Sequence, residues 1–373
     1  MAYDIRLLVD DATGMALRQA LAIVSRYFTV PLAALSPIPA GPSIPRALSV
    51  SGLRILLDIG RAGARPGVQD DPARFFAVFR YAQALAGSRS VLTLAQPFYD
   101  LDSHKKRVLS DEFGCGLAFI VATDLLRATG FLDFETAVAM GLVRTSAPRS
   151  RRPDYVGFLP SGTPIILEAK GTQQGVGYAR GVQILSGCRQ VTAPRLLGRG
   201  VGEQALRLVV ASALYYEQWS PDTTVFLGDP DDVPTEDYVF EEEFVSSLVR
   251  GHYMRVASLI GDHDLTSRLK GATMSLGTGG ELLRTIRGQR YFGSQIIIED
   301  GRGRAGFFIG LESRLREELL RRAAVLPERR PSNGVRSLGE SLHTDDLSEI
   351  EPLARREDHV AAEDGTVCQV WIE

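Results

Sequence analysis

The chain predicts an α/β fold on three observations. Its middle third places a long helix-period segment ahead of short apolar runs of strand length. Turn signals separate those runs. A second set of apolar runs, joined by a hairpin signal, follows the acidic break Asp229-Pro230-Asp231-Asp232. Apolar residues make up 45% of the 373 residues and charged ones 23%, the balance of an ordinary globular protein with room for two or three domains.

The elements follow in chain order. Asp4–Val9 reads as a short strand and Thr13–Tyr27 as a helix. The proline-rich stretch from Pro31 to Pro45 reads as irregular chain. Leu53–Ile59 has the length and apolarity of a strand, and Asp71–Ala86 has an Asp-Pro start and helical spacing. Ser103 to Thr129 is helix-like, although Gly114 and Gly116 each weaken it by about 1 kcal/mol relative to Ala. Ala137–Val143, Tyr155–Leu159 and Thr163–Ala169 read as three strands, with Ser161-Gly162 as the tight turn between the last two. Tyr178–Arg189 is a predicted helix, followed by strands at Ala205–Leu214 and Thr223–Leu227. Beyond the acidic break come a helix over Glu241–Ile260, a hairpin of Ser294–Ile298 and Ala305–Ile309 across Glu299-Asp300-Gly301, and a helix over Glu312–Ala324. Pro327 to Arg336 has linker character, and Val360 to Glu373 reads as a hairpin across Asp364-Gly365. These shifts divide the chain into regions 1–100, 101–235 and 236–373, with a linker-like stretch near 327–345.

Composition excludes several classes. A net charge of −3 carries no global basic field, so a nucleic-acid role must come from local patches. Cys115, Cys188 and Cys368 are widely spaced and odd in number, which argues against a disulfide framework and a thiolate zinc site and suits a reducing cytoplasm. No apolar run approaches the ~20 residues of a membrane span, and no secretory signal is evident. Arg, Ala and Gly usage suits a bacterium with a GC-rich genome.

Against this arginine-rich background lysine is rare: Lys105, Lys106, Lys170 and Lys270 are the only ones. Lys170 ends the apolar run Pro164-Ile165-Ile166-Leu167-Glu168-Ala169-Lys170. Strand alternation puts Ile166, Glu168 and Lys170 on one face and Ile165, Leu167 and Ala169 on the other. The apolar face is expected to enter the core and leave Glu168 and Lys170 side by side. If Tyr155–Leu159 pairs antiparallel with this strand, Asp154 arrives at the same end. Two carboxylates and an amine then converge, a donor set of hard oxygens that suits Mg²⁺. The plain alternative is an edge-strand charge pair that limits aggregation.

Pro153-Asp154 followed by Glu168-Ala169-Lys170, on an apolar strand after a turn, resembles the PD-(D/E)XK nuclease superfamily. The order helix, three strands, helix, strand is similar to that superfamily's restriction-endonuclease-like αβββαβ core, with a mixed central sheet flanked by helices. The resemblance covers about the middle third and leaves both flanks unassigned. It implies a Mg²⁺-dependent endonuclease, with Mn²⁺ able to substitute, that hydrolyses DNA phosphodiester bonds. RNA is not excluded, and a protein partner or a second copy would engage the flanks. Asp154 and Glu168, with the Ala169 carbonyl, would hold the metal, and Lys170 would assist the base. An additional acid on the first helix falls to Glu112, with Asp111 second, and a glutamine on the later helix to Gln183, with Gln190 second. Arg149, Arg151 and Arg152 precede Asp154 and would meet phosphates. Restriction or anti-phage defence is the expected role, and a catalytically silent scaffold is the alternative.

Other constellations are poorer. Gly277-Thr278-Gly279-Gly280 lacks the Gly-Lys-Ser/Thr of a phosphate loop. Asp262-His263-Asp264 reads as an exposed turn, and neither a zinc helix motif nor a serine nucleophile elbow is present.

Overall fold

A computed structural model describes residues 4–8, 10–24, 26–35, 44–64, 76–85, 90–144, 152–161, 163–192, 195–196, 205–219, 222–230, 242–270, 282–301, 303–325, 359–362 and 364–372. The first region contributes β1 (Asp4–Leu8), α1 (Asp11–Val24), β2 (Tyr27–Ala34), β3 (Ala47–Ser51), α2 (Gly52–Gly63) and α3 (Phe76–Tyr81). The middle holds α4 (Ser103–Leu126), β4 (Thr129–Asp133), α5 (Phe134–Ala139), β5 (Val143–Arg144), β6 (Tyr155–Phe158), β7 (Pro164–Thr172), α6 (Ile184–Val191), β8 (Arg195–Leu196), β9 (Leu206–Ala213) and β10 (Thr224–Gly228). The last region adds α7 (Glu242–Ile260), α8 (His263–Leu269), β11 (Leu283–Ile286), β12 (Gln289–Asp300), β13 (Gly303–Glu312), α9 (Ser313–Val325), β14 (His359–Ala361) and β15 (Thr366–Ile372).

The fold is mixed α/β. A seven-stranded sheet runs β3-β2-β10-β9-β7-β6-β4, and a six-stranded sheet runs β1-β12-β13-β15-β14 with β11 also on β12. The larger sheet is mixed: β7 lies parallel to β9 and β10 parallel to β2, while its other pairings are antiparallel. Helix α4 covers one face of β7 and β9, and α6 covers the other. Helix α7 touches β4 and β6 of the larger sheet and β12 and β13 of the smaller one, and it also packs on α2. One connected apolar core therefore extends from Ala20 to Val370. The expected boundary at residue 100 does not separate the sheets. Strands β2 and β3 complete the sheet of the middle region, and β1 joins β12.

Several elements differ from expectation. Leu53–Ile59 is not a strand but the interior of α2, because Ser51 caps the helix by accepting the Arg54 N–H at 3.1 Å. Its charges also repeat at helical spacing, Arg54–Asp58 and Asp58–Arg61, and every residue from Gly52 to Arg61 is buried. The strand expected at Ala137–Val143 is instead the end of α5, Ala137–Ala139, then a turn and the first residue of β5; the helix is nucleated where Asp133 accepts the Thr136 N–H at 2.8 Å. The edge strand of that sheet is instead β4, just upstream. Strand β2 runs through Pro31, which falls between two neighbours. Thr29 bridges Val91 on that side, and β10 takes over from Leu32 onward, so the missing N–H breaks no ladder bond. Within Asp71–Ala86 the described helical part is Phe76–Tyr81, and residues 71–75 lie outside the described residues. The linker-like stretch near 327–345 also lies outside them. Asp262 is no exposed turn: it is 1% exposed, caps α8 through the Leu265 N–H and ion-pairs with Arg316 at 2.5 Å.

Candidate active site

The site forms where β6 stops and β7 continues. Tyr155 at the start of β6 lies opposite Leu167, so Asp154 falls opposite Glu168 and its side chain projects to the same face. Beyond that point β7 runs on to Thr172 with β9 on one side and no β6 residue on the other. Asp154 fills the first position of this notch, its Oδ2 accepting the Ala169 N–H at 2.9 Å. The N–H and C=O of one strand residue point to the same side, so the Ala169 carbonyl also faces the notch.

Glu168 and Lys170 do lie on one face of β7, and that face is covered. Strand β7 is buried along both faces, and among its residues only Lys170 is partly exposed. Two close approaches cause this. A Cβ on Gly171 would stand 1.7 Å from the Ser110 carbonyl oxygen, and one on Gly114 would stand 2.7 Å from the Gly171 nitrogen. The two glycines thus let α4 meet the strand backbone to backbone, which is what the helix-weakening Gly114 is for. On the opposite face a Cβ on Gly187 would press to 2.4 Å from Val209, and Glu168 Cγ would lie 3.3 Å away. Helix α6 consequently lies directly over Glu168.

Burial sets the electrostatics. Glu168 is 0% exposed, and its carboxyl is pushed well up by desolvation and then by the facing Asp154. Desolvation raises Asp154 as well, more than the Ala169 N–H and Lys170 lower it. The pair therefore favours holding a proton. Lys170 ion-pairs with Glu168 Oε1. Burial works against the Lys170 ammonium, but the Glu168 carboxylate holds its pKa above the usual value. Beneath them, burial and Asp154 push the Cys115 thiol up to about 12. Both Glu168 oxygens are buried, and Lys170 is the cation that reaches them among the described residues.

The remaining candidates divide. Glu112 is turned to α3, where it accepts from Tyr81 Oη and from Arg80 at 3.3 Å. Asp111, the second choice, is the acid of α4 whose charge is felt at Asp154 and Lys170. Desolvation raises the Asp111 carboxyl, and Arg107 and Lys170 lower it. Gln183 ends a π-helical turn, Ala179–Gln183, and its Nε2 donates to the Gly171 carbonyl at 3.0 Å, in the notch. Gln190 donates to the Arg152 carbonyl at 2.9 Å and so steadies the approach to Asp154. Arg152 itself pairs with Glu135 at 2.8 Å, while Arg149 and Arg151 lie outside the described residues.

These residues fit a hard divalent cation. Two carboxylates, that of Glu168 with both oxygens buried, and a strand carbonyl supply oxygen ligands of the kind Mg²⁺ takes while keeping several waters. Among the described residues no group of three His, Cys, Asp or Glu side chains is placed to hold a metal ion. Sequence reasoning missed Cys115, which no motif marks, and the roles of Gly171 and Gly187, which only packing reveals. No helix among the described residues is long and apolar enough to cross a membrane. Compared with family models, with curated proteins and with solved structures, the chain matches none.

Proposed function

We propose that this chain is a metal-dependent nuclease that hydrolyses DNA phosphodiester bonds, acting in restriction or anti-phage defence. The observation that carries this reading is the convergence of Asp154, Glu168 and Lys170 in a notch beside the end of β7. The strand order β9-β7-β6-β4, with α4 before it and α6 within it, supports the resemblance to a restriction-endonuclease-like core.

Asp154, Glu168 and the Ala169 carbonyl would hold Mg²⁺ or Mn²⁺, which when bound supplies Lewis-acid polarisation of a phosphoryl oxygen. The protein residues do the rest. The Ala169 N–H fixes the Asp154 carboxylate, and α6 excludes water from Glu168. The Lys170 ammonium orients the attacking water and offsets charge that develops on the phosphate. Gln183 anchors the end of the strand through Gly171.

Purified protein is expected to cleave DNA with Mg²⁺ or Mn²⁺ and not with EDTA. Glu168→Ala and Lys170→Ala should each reduce cleavage by about 10²-fold or more, and Lys170→Arg should not rescue it, because a planar fork does not replace a compact ammonium. Wild-type rates in both alanine variants would overturn the assignment. A catalytically silent scaffold is the second reading, favoured by one observation: Glu112 is tied to Tyr81 and Arg80 and lends no third carboxylate. Absence of divalent-metal binding in a calorimetric titration would select it.

A further inference from the structure

The end of β7 runs into an aromatic cluster that the proposed chemistry does not use. Gln173, three residues beyond Lys170 and so ~10 Å along the chain, ties this cluster to α4. Its Nε2 donates to the Lys106 carbonyl at 3.1 Å and to Ser110 Oγ at 2.9 Å. Its Oε1 lies 2.5 Å from Tyr216 Oη. Tyr216, Tyr99 and Trp219 meet edge to face, with ring centroids 5.3, 5.2 and 5.6 Å apart around the triangle. Tyr216 is 1% exposed and forms the base, whereas Tyr99 and Trp219 are each 37% exposed. The Lys106 ammonium sits 4.6 Å from the Tyr99 ring centre. Of the chain's four lysines, Lys106 meets this cluster through both its carbonyl and its ammonium, and Lys170 lies three residues before Gln173.

The local charge discriminates between partners. Lys105 is paired with Asp102 at 3.0 Å and Arg107 with Asp111 at 3.9 Å, so in this basic run it is Lys106 that faces the rings. A duplex offers phosphates outward and hides its base faces, so a nearly neutral patch attracts it little. An unpaired base offers a π-face on which exposed rings can stack, and single-strand binders combine such rings with cations along the backbone, a place that Lys106 over Tyr99 fills here.

We propose that Tyr99 and Trp219, with Lys106, form a stacking platform for the unpaired bases of single-stranded nucleic acid. The platform rests on the nuclease reading and gives its substrate a class: a strand with unpaired bases, led across the end of β7 to Asp154, Glu168 and Lys170.

The test uses the full chain in EDTA, where no cleavage interferes, and labelled oligothymidylate of about 12 nucleotides against a duplex of equal length. Trp219 and Trp371 are the only tryptophans, so in a Trp371→Phe background emission reports Trp219 alone. Oligothymidylate is expected to quench that emission. Tyr99→Ala and Trp219→Ala should each weaken single-strand binding by about 5- to 100-fold, and Trp219→Phe should retain most of it. Duplex binding should change less than about twofold, since the duplex buries its base faces. Equal losses on both ligands, or no loss on either, would overturn the platform. Where Trp219→Ala fails to fold, the quench and Tyr99→Ala still decide the matter. Platform-dependent binding without any metal-dependent cleavage would remove the nuclease reading and leave the platform standing. Cleavage that ignores both ring substitutions would do the reverse.

Discussion

Partly exposed Asp154 faces fully buried Glu168, and the fold bears a cost for keeping them there. Desolvation raises both carboxyls, Glu168 furthest, so each ionises at higher pH in the folded chain than in the unfolded one. Unfolded carboxyls ionise near pH 4, about the model-peptide value. Stability attributable to the pair is therefore full below that pH and declines as pH rises through the folded values. Lys170 has a raised pKa too, but its contribution is lost only as pH climbs past the ordinary lysine range, so the window from mildly acidic to neutral belongs to the acids. Asp154→Asn keeps an acceptor for the Ala169 N–H and removes the charge. It is expected to raise Tm over wild type at pH 8, by about 2–4 °C for each kcal/mol relieved, and to change little at pH 4. Added Mg²⁺ should reverse the order by stabilising wild type alone, with protons released on binding. Differential scanning calorimetry at the two pH values checks this. An identical difference at both would mean that the pair ionises without penalty. The convergence itself was legible in sequence, because strand alternation and one turn sufficed to bring Asp154 to Glu168. The orientation of Glu112 was not, since neighbouring helical positions differ by about 100° and only the docking of α4 decides which acid faces β7.

At the level of elements, the contact between α4 and β7 fixes the site. Gly171→Ala would drive a methyl group to 1.7 Å from the Ser110 carbonyl oxygen, a backbone atom that cannot swing aside. Overpacking of this kind costs about 1–3 kcal/mol and moves the helix off the strand. The expected result is a lower urea midpoint together with loss of metal binding, because Lys170 and Asp111 flank the same contact. Unchanged stability and metal affinity would show that α4 docks elsewhere. The motif strand, both helices beside it and the two hairpins of the last region were legible because their periods are unambiguous. Helix α2 was misread for a physical reason. Its apolar residues run in a block of strand length, and the helical cue lay in the Ser51 cap and in the polar stripe of Arg54, Asp58 and Arg61, which leaves the apolar residues on the remaining face. The first sheet strand was misplaced because Asp133 starts a helix inside an apolar stretch. The joining of β2 to β10 was out of reach, since local periodicity says nothing about a partner some 190 residues away.

Across the whole molecule, the three expected regions are bound by one buried charge network. Asp364, in the turn of the C-terminal hairpin, reaches Arg61 of α2 at 2.5 Å and His252 of α7 at 2.9 Å. Arg61 continues to Asp58 at 2.6 Å, and Asp58 to Arg54 at 2.5 Å. Arg255 donates to the Phe131 carbonyl of β4 at 3.0 Å and so ties the larger sheet to the same layer. Burial alone would raise the Asp364 carboxyl, yet Arg61, His252 and Thr366 reverse this and hold it well below the usual range. A depressed carboxyl contributes stability above the unfolded pKa and loses it as pH falls through the folded one, so this clasp is full at neutral pH and weakens only in strong acid. Its sign is opposite to that of the Asp154–Glu168 pair, and the two sites can be told apart by pH alone. Asp364→Ala leaves buried His252 without its carboxylate and Arg61 with Asp58 alone, and breaking a buried pair in this way costs about 3–5 kcal/mol. Because α2 is packed against α4, which in turn lies on β7, the loss is expected to reach the candidate site. Urea denaturation at pH 7 should show the full loss, and repetition at low pH should show it shrink as the wild-type carboxyl protonates. Amide exchange should accelerate in β14 and β15 first and in α2 next. Acceleration confined to the hairpin, with α2 as protected as in wild type, would mean that the hairpin rides on the molecule without fastening it.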